Sequence, residues 1–164
     1  MVLDATNVPF VTGGGNLQGP TITITDLDDC VITAVRVRFR VTATSLTAST
    51  TPNTVFRLDR LGGPIGFDLI NLGATTLTPL VGTQMGTTCT SLTFADGFSP
   101  FSTSAAPYDG NFSPVGSPSS PGSFADYLLT PANGHYSLYP AFLGGPVTVE
   151  CFQLDLDLET TPAP

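Results

Sequence analysis

The chain contains no lysine and no tryptophan, a single histidine, three cysteines and only five basic residues in 164. Charged residues make up 11% of it, against roughly 25% in ordinary globular proteins, so most of the surface must be uncharged. The cations are Arg36, Arg38, Arg40, Arg57 and Arg60, and thirteen acids outnumber them to give a net charge of −8. That balance argues against a nucleic-acid partner, whose phosphates need a clustered basic face. No run approaches the roughly 18 consecutive apolar residues that span a bilayer. Met1-Val2-Leu3-Asp4 has neither the charged nor the apolar region of a secretory signal, which fits either a chain made without the secretory route or a sequence that begins at its mature end. Cys30, Cys89 and Cys151 are too few and too scattered for a disulfide scaffold or a zinc site. One bridge at most can form, and without a C-x-x-C pair free buried thiols are the expectation.

Threonine, glycine and proline are abundant instead, with 17 Gly and 15 Pro. Thr suits a pleated surface and Gly and Pro suit turns, so the reading is an all-β chain with many loops. Its length fits one domain. Residues 1–19 read as an irregular N-terminal arm, 20–159 as the domain and 160–164 as a short Pro-rich tail. Thr21 to Thr25 alternates and predicts a strand with Ile22 and Ile24 inward. Ile32 to Val41 is the clearest strand: Val35, Val37, Phe39 and Val41 share one face and Arg36, Arg38 and Arg40 the other. Further strands are expected over 55–61, 91–94, 136–139 and 147–158, with a long ordered loop between Ser99 and Gly122. In the last strand Val147, Val149 and Cys151 hold one parity and Phe152, Leu154, Leu156 and Leu158 the other. A bulge near Cys151 would reconcile them.

Opposite Phe152, Leu154 and Leu156 stand Gln153, Asp155, Asp157 and Glu159. If this strand neighbours the arginine strand antiparallel, Arg36, Arg38 and Arg40 meet Asp155 and Asp157 in a cross-strand ion-pair ladder. Such pairs are worth about 0.2–1 kcal/mol each. The ladder is favoured over an anion-binding face.

Several motifs occur in a distinctive order: Gly19-Pro20-Thr21-Ile22-Thr23-Ile24-Thr25-Asp26, then Ser91-Leu92-Thr93-Phe94-Ala95-Asp96. Tyr108-Asp109-Gly110-Asn111-Phe112-Ser113-Pro114, Gly122-Ser123-Phe124 and Asn133-Gly134-His135-Tyr136-Ser137-Leu138 follow, before the alternating strand to Leu158. This order resembles the P domain (P/Homo B) that accompanies subtilisin-like proprotein convertases. The resemblance covers about residues 19 to 159 in short, degenerate pieces. It implies a β-jelly roll or β-sandwich without a catalytic triad. Tyr136 stands where the family has tryptophan. Of the acids that often hold calcium in the family, the one leading its D-L-x-[IV]-x-L strand is missing at Thr54, and the acidic loop is replaced by Tyr139 to Pro146. If a calcium site survives, Asp96 with loop carbonyls would hold it, although calcium takes about six to eight oxygens.

The residues offer little chemistry. His135 reads as a turn-flanking residue, because a hydrolytic triad also needs a nucleophile and an orienting acid placed around it. Asp26, Asp28 and Asp29 read as turn acids, and Asn111-Phe112-Ser113 is a formal glycosylation sequon followed by Pro114. The expectation is a non-enzymatic protein without cofactor: a decoration, coat or fibre subunit of a virion or extracellular particle. Its partners would be other protein subunits or copies of itself, with no membrane or nucleic acid. The alternatives are an accessory P-domain-like module for a secreted protease and a calcium-dependent carbohydrate- or surface-binding module. Phe98, Phe101, Tyr108, Phe142 and Leu143 are candidate contact positions, or else loop anchors in the core.

Overall fold

A computed structural model describes residues 1–12, 19–44, 54–61, 66–71, 82–101, 107–117, 119–140 and 146–161. Phe142 and Leu143 lie outside the described residues, as do the Gly-rich part of the N-terminal segment and the last residues of the tail. The chain is all-β, and two sheets pack face to face as a β-sandwich. The larger sheet holds β1 (Val2–Asp4), β2 (Phe10–Thr12), β4 (Cys30–Ala43), β7 (Gln84–Met85), β8 (Leu92–Ala95), β9 (Gly110–Phe112) and β11 (Val147–Thr160). Its path runs β1-β11-β4-β8-β9, with β2 also on β11 and β7 also on β4. The smaller sheet has the order β3-β10-β5-β6, from β3 (Thr21–Ile24), β10 (Gly134–Pro140), β5 (Thr54–Leu61) and β6 (Phe67–Asn71).

The spine is the antiparallel pair β4 and β11, each of 14 residues. Alternation decides which face each buries. Val37, Phe39, Val41, Phe152, Leu154 and Leu156 point inward and are inaccessible or nearly so, and the intervening arginines and acids point outward. The register shifts between Val149 and Cys151. This is the bulge that the phase change demands: it takes up Glu150 and lets Val149 and Phe152 face the same core. A second shift between Asp157 and Leu158 has the same effect where Ile32 and Val35 are both buried.

Aromatic rings stitch the layers together. Phe39 of β4 stacks on Phe56 of β5 at 4.9 Å and on Phe94 of β8 at 5.8 Å. Tyr127, on a single 3-10 turn (Ala125–Tyr127), meets Phe67 at 4.4 Å and Tyr136 at 6.4 Å. Tyr136 is 1% exposed and donates its hydroxyl to Ala132 O at 2.9 Å.

Three expectations require correction. The segment expected to be an irregular arm carries β1 and β2, which both pair with β11. Strands of three residues leave almost no periodicity to read, and their hydrogen bonds come from a partner 140 or so positions away. The stretch expected as a loop between Ser99 and Gly122 contains β9, which pairs parallel with β8. Finally, Cys89 and Cys151 form a disulfide across 62 residues of sequence, and Cys30 alone is free. The bulge that turns Cys151 outward is what brings it within reach of the loop carrying Cys89.

Candidate functional site

The outer face of the larger sheet carries the arginines and acids. Register sets Arg36 opposite Asp155, Arg38 opposite Gln153 and Arg40 opposite Cys151. Arg36 reaches diagonally to Asp157, with Nη1–Oδ1 at 3.1 Å and Nη2–Oδ2 at 2.7 Å, and contacts Asp155 at 3.4 Å. Arg38 donates to Gln153 Oε1 at 2.8 Å and meets Asp155 at 3.4 Å. Gln153 Nε2 donates onward to Asp4 of β1 at 3.0 Å. The hydrogen bond from Arg36 holds the Asp157 carboxyl below the usual carboxylate range, and the same bond raises the Arg36 guanidinium. Arg40 stands apart from the expected ladder. Among the described residues its buried Nε has no hydrogen-bond partner, and its register partner is Cys151 rather than an acid.

Several other carboxylates hold loops. Asp96 accepts Phe124 N at 2.8 Å and Ser123 Oγ at 2.9 Å, which ties the end of β8 to the residues just ahead of the 3-10 turn. Both oxygens of Asp96, the residue expected to hold calcium, thus accept hydrogen bonds from the Ser123–Phe124 segment. Among the described residues no group of three or more His, Cys, Asp or Glu side chains converges on one point. Asp109 clamps the Thr87–Ser91 turn by accepting Thr87 N at 2.7 Å and the hydroxyls of Thr87 and Ser91. Burial pushes its carboxyl up, but the hydrogen bonds from Ser91 and Thr87 outweigh that and hold it low. Asp126 gathers the hydroxyls of Ser117, Ser119 and Ser120, which hold its carboxyl low. Asp28 pairs with Asn133 Nδ2 at 2.6 Å, and Asn133 Oδ1 accepts Leu27 N at 3.0 Å, so the opening turn is tied to the loop before β10. His135 is exposed at the start of β10, with Nδ1 2.9 Å from Thr23 Oγ1.

The candidate contact residues separate by burial. Phe101 and Tyr108 are 4% and 1% exposed, so they are loop anchors rather than contact positions. Their rings pack against each other at 5.9 Å, and Phe101 also meets Phe94 and Phe112. Phe98 is exposed. Sequence reasoning overlooked a second group of exposed apolar side chains on the edge of the larger sheet. β1 lies along Gln153 to Asp155 and β2 along Val147 to Val149, on the side of β11 away from β4. Ala5 N bonds Phe152 O between them. Residues 2–12 therefore form one interrupted edge strand. Leu3 and Phe10 pack against the core, while Val2 and Val11 turn outward at 54% and 67% exposure.

No family model, no curated protein and no solved structure matches the chain, so the P-domain resemblance rests on its short motifs alone.

Proposed function

We propose that this protein is a non-catalytic assembly subunit, a decoration, coat or fibre protein of a virion or extracellular particle, working through protein–protein contacts. The observation that carries this reading is the edge formed by β1 and β2. An edge strand presents unpaired backbone groups to a neighbouring chain, and here it also presents Val2 and Val11 to solvent. Apolar side chains on an edge strand suit pairing with a neighbouring subunit. The shortness of both strands and Pro9 between them limit uncontrolled edge-to-edge association. The low charge of the chain agrees with contact surfaces depleted in charged residues. The Cys89–Cys151 bridge suits a particle that resides in an oxidising environment.

The test is quantitative mass spectrometry of density-purified particles from the native source. A fixed, high copy number relative to a major coat protein supports the reading, and absence from particles ends it. The paired substitution Val2→Lys and Val11→Lys should then abolish incorporation while leaving the melting temperature within a few degrees.

A further inference from the structure

The bridge between Cys89 and Cys151 lies on the outer surface of the larger sheet, and its surroundings are asymmetric. Cys151 follows the bulge on β11 and faces Arg40 directly across the β4–β11 pair. Arg40 is the one arginine of its stripe that makes neither an ion pair nor a side-chain hydrogen bond among the described residues, and its Nε is buried. The segment leading to Cys89 leaves β7 beside Arg40: Met85 pairs with Val41, and Gly86 lies next to the Phe39–Arg40 backbone. Other charged side chains of these elements make hydrogen bonds of their own. Arg38 is held by Gln153 and Asp155, Glu150 accepts the Thr42 hydroxyl at 2.6 Å, and Asp109 is taken up by Thr87 and Ser91. Both half-cystines are only half-buried, so a small thiol can approach.

We infer that Cys89–Cys151 is a thiol-responsive clamp, opened in the folded protein by a low-molecular-weight thiol such as glutathione, with Cys151 as the leaving sulfur. The glutathione thiolate attacks Cys89 Sγ and the sulfur–sulfur bond breaks. Its electron pair departs on Cys151 Sγ, where the unpaired Arg40 guanidinium stabilises the thiolate. A second glutathione thiolate displaces Cys89 from the mixed disulfide. Two glutathione thiols thus become one glutathione disulfide, and the bridge becomes two protein thiols that take up the two protons. A leaving thiol made more acidic departs faster, and this is the source of the selectivity.

The sandwich tolerates the opening because the turn keeps its other ties. Gly86 N donates to Pro107 O and Gly110 N to Ser91 O, both at 2.7 Å, and Asp109 retains its hold on Thr87 and Ser91. Opening detaches the turn from β11 alone, beside the site where β2 pairs with Val147 to Val149.

The experiment uses the full chain carrying Cys30→Ser, so that only the bridge reports. The protein is incubated with millimolar reduced glutathione at neutral pH, sampled with a mass-tagged alkylating agent, and its strand signal is followed by circular dichroism. The expected result is double alkylation with the strand signal unchanged. Arg40→Gln should slow opening about threefold to tenfold and Arg40→Lys should restore it. A bridge that opens only in denaturant, or one that opens equally fast in Arg40→Gln, overturns the inference. The first of these results needs no Arg40 variant, so a poorly folding substitution cannot shelter the idea.

Discussion

Arg36 grips Asp157 through both guanidinium nitrogens, at 3.1 and 2.7 Å, reaching one step diagonally past its register partner Asp155 on the neighbouring strand. This geometry couples the two central strands on their solvent side while Val35, Val37, Leu154 and Leu156 couple them on the core side.

Because the pair is about a third to a half exposed, it contributes little: Arg36→Ala should cost under about 1 kcal/mol. Its pH signature is clearer. The Asp157 and Asp109 carboxyls are both held below the usual carboxylate range. Their stabilisation is therefore fully present above the unfolded carboxyl value of about 3.9 and lost as pH falls through the lower folded value. Urea midpoints should stay level down to about pH 5 and fall below it, and Asp109→Asn should flatten part of that fall.

Phe39 is fully buried and contacts Phe56 in the opposite sheet and Phe94 in its own. Removing the ring opens a cavity between the layers. Phe39→Ala should destabilise by about 3–5 kcal/mol, and Phe39→Leu by clearly less. Equilibrium urea unfolding measures both, and a loss under about 1 kcal/mol for the alanine variant would contradict the packing described.

The disulfide closes a loop of 62 residues. Replacing both half-cystines with serine should lower stability by about 2–4 kcal/mol, mainly by freeing the unfolded chain. The strand signal of the folded variant should be unchanged, since β4 and β11 remain paired independently of the bridge.

Asp96 holds the residues just ahead of the turn that places Tyr127 in the core. Asp96→Ala should cost about 1–2 kcal/mol through the lost acceptor for Phe124 N. Melting in calcium and in chelator should give the same midpoint for the parent protein. A rise in calcium that disappears in Asp96→Ala would support the metal reading of this residue.

The alternation of Val35, Val37, Phe39 and Val41 against three arginines, and of Phe152, Leu154 and Leu156 against acids, determined the spine of the sandwich. A two-residue period with opposite charges on the outer faces admits few other pairings, and the parity break at Cys151 located the bulge. Tertiary structure alone decided what depends on distant partners. β1, β2 and β9 are three residues long and exist because β11 and β8 supply their hydrogen bonds. Cys89 finds Cys151 because a bulge turns one outward and an Asp109-clamped turn delivers the other. Phe101 and Tyr108 look like exposed loop aromatics in sequence, yet the rings of Phe94 and Phe112 draw Phe101 inward, and Tyr108 packs against it. Arg40 shares its stripe with Arg36 and Arg38, but register gives it a cysteine where they find an acid and an amide. Side-chain periodicity is a local property and can be read along the chain; register, pairing and burial are set by whatever lies across the sheet.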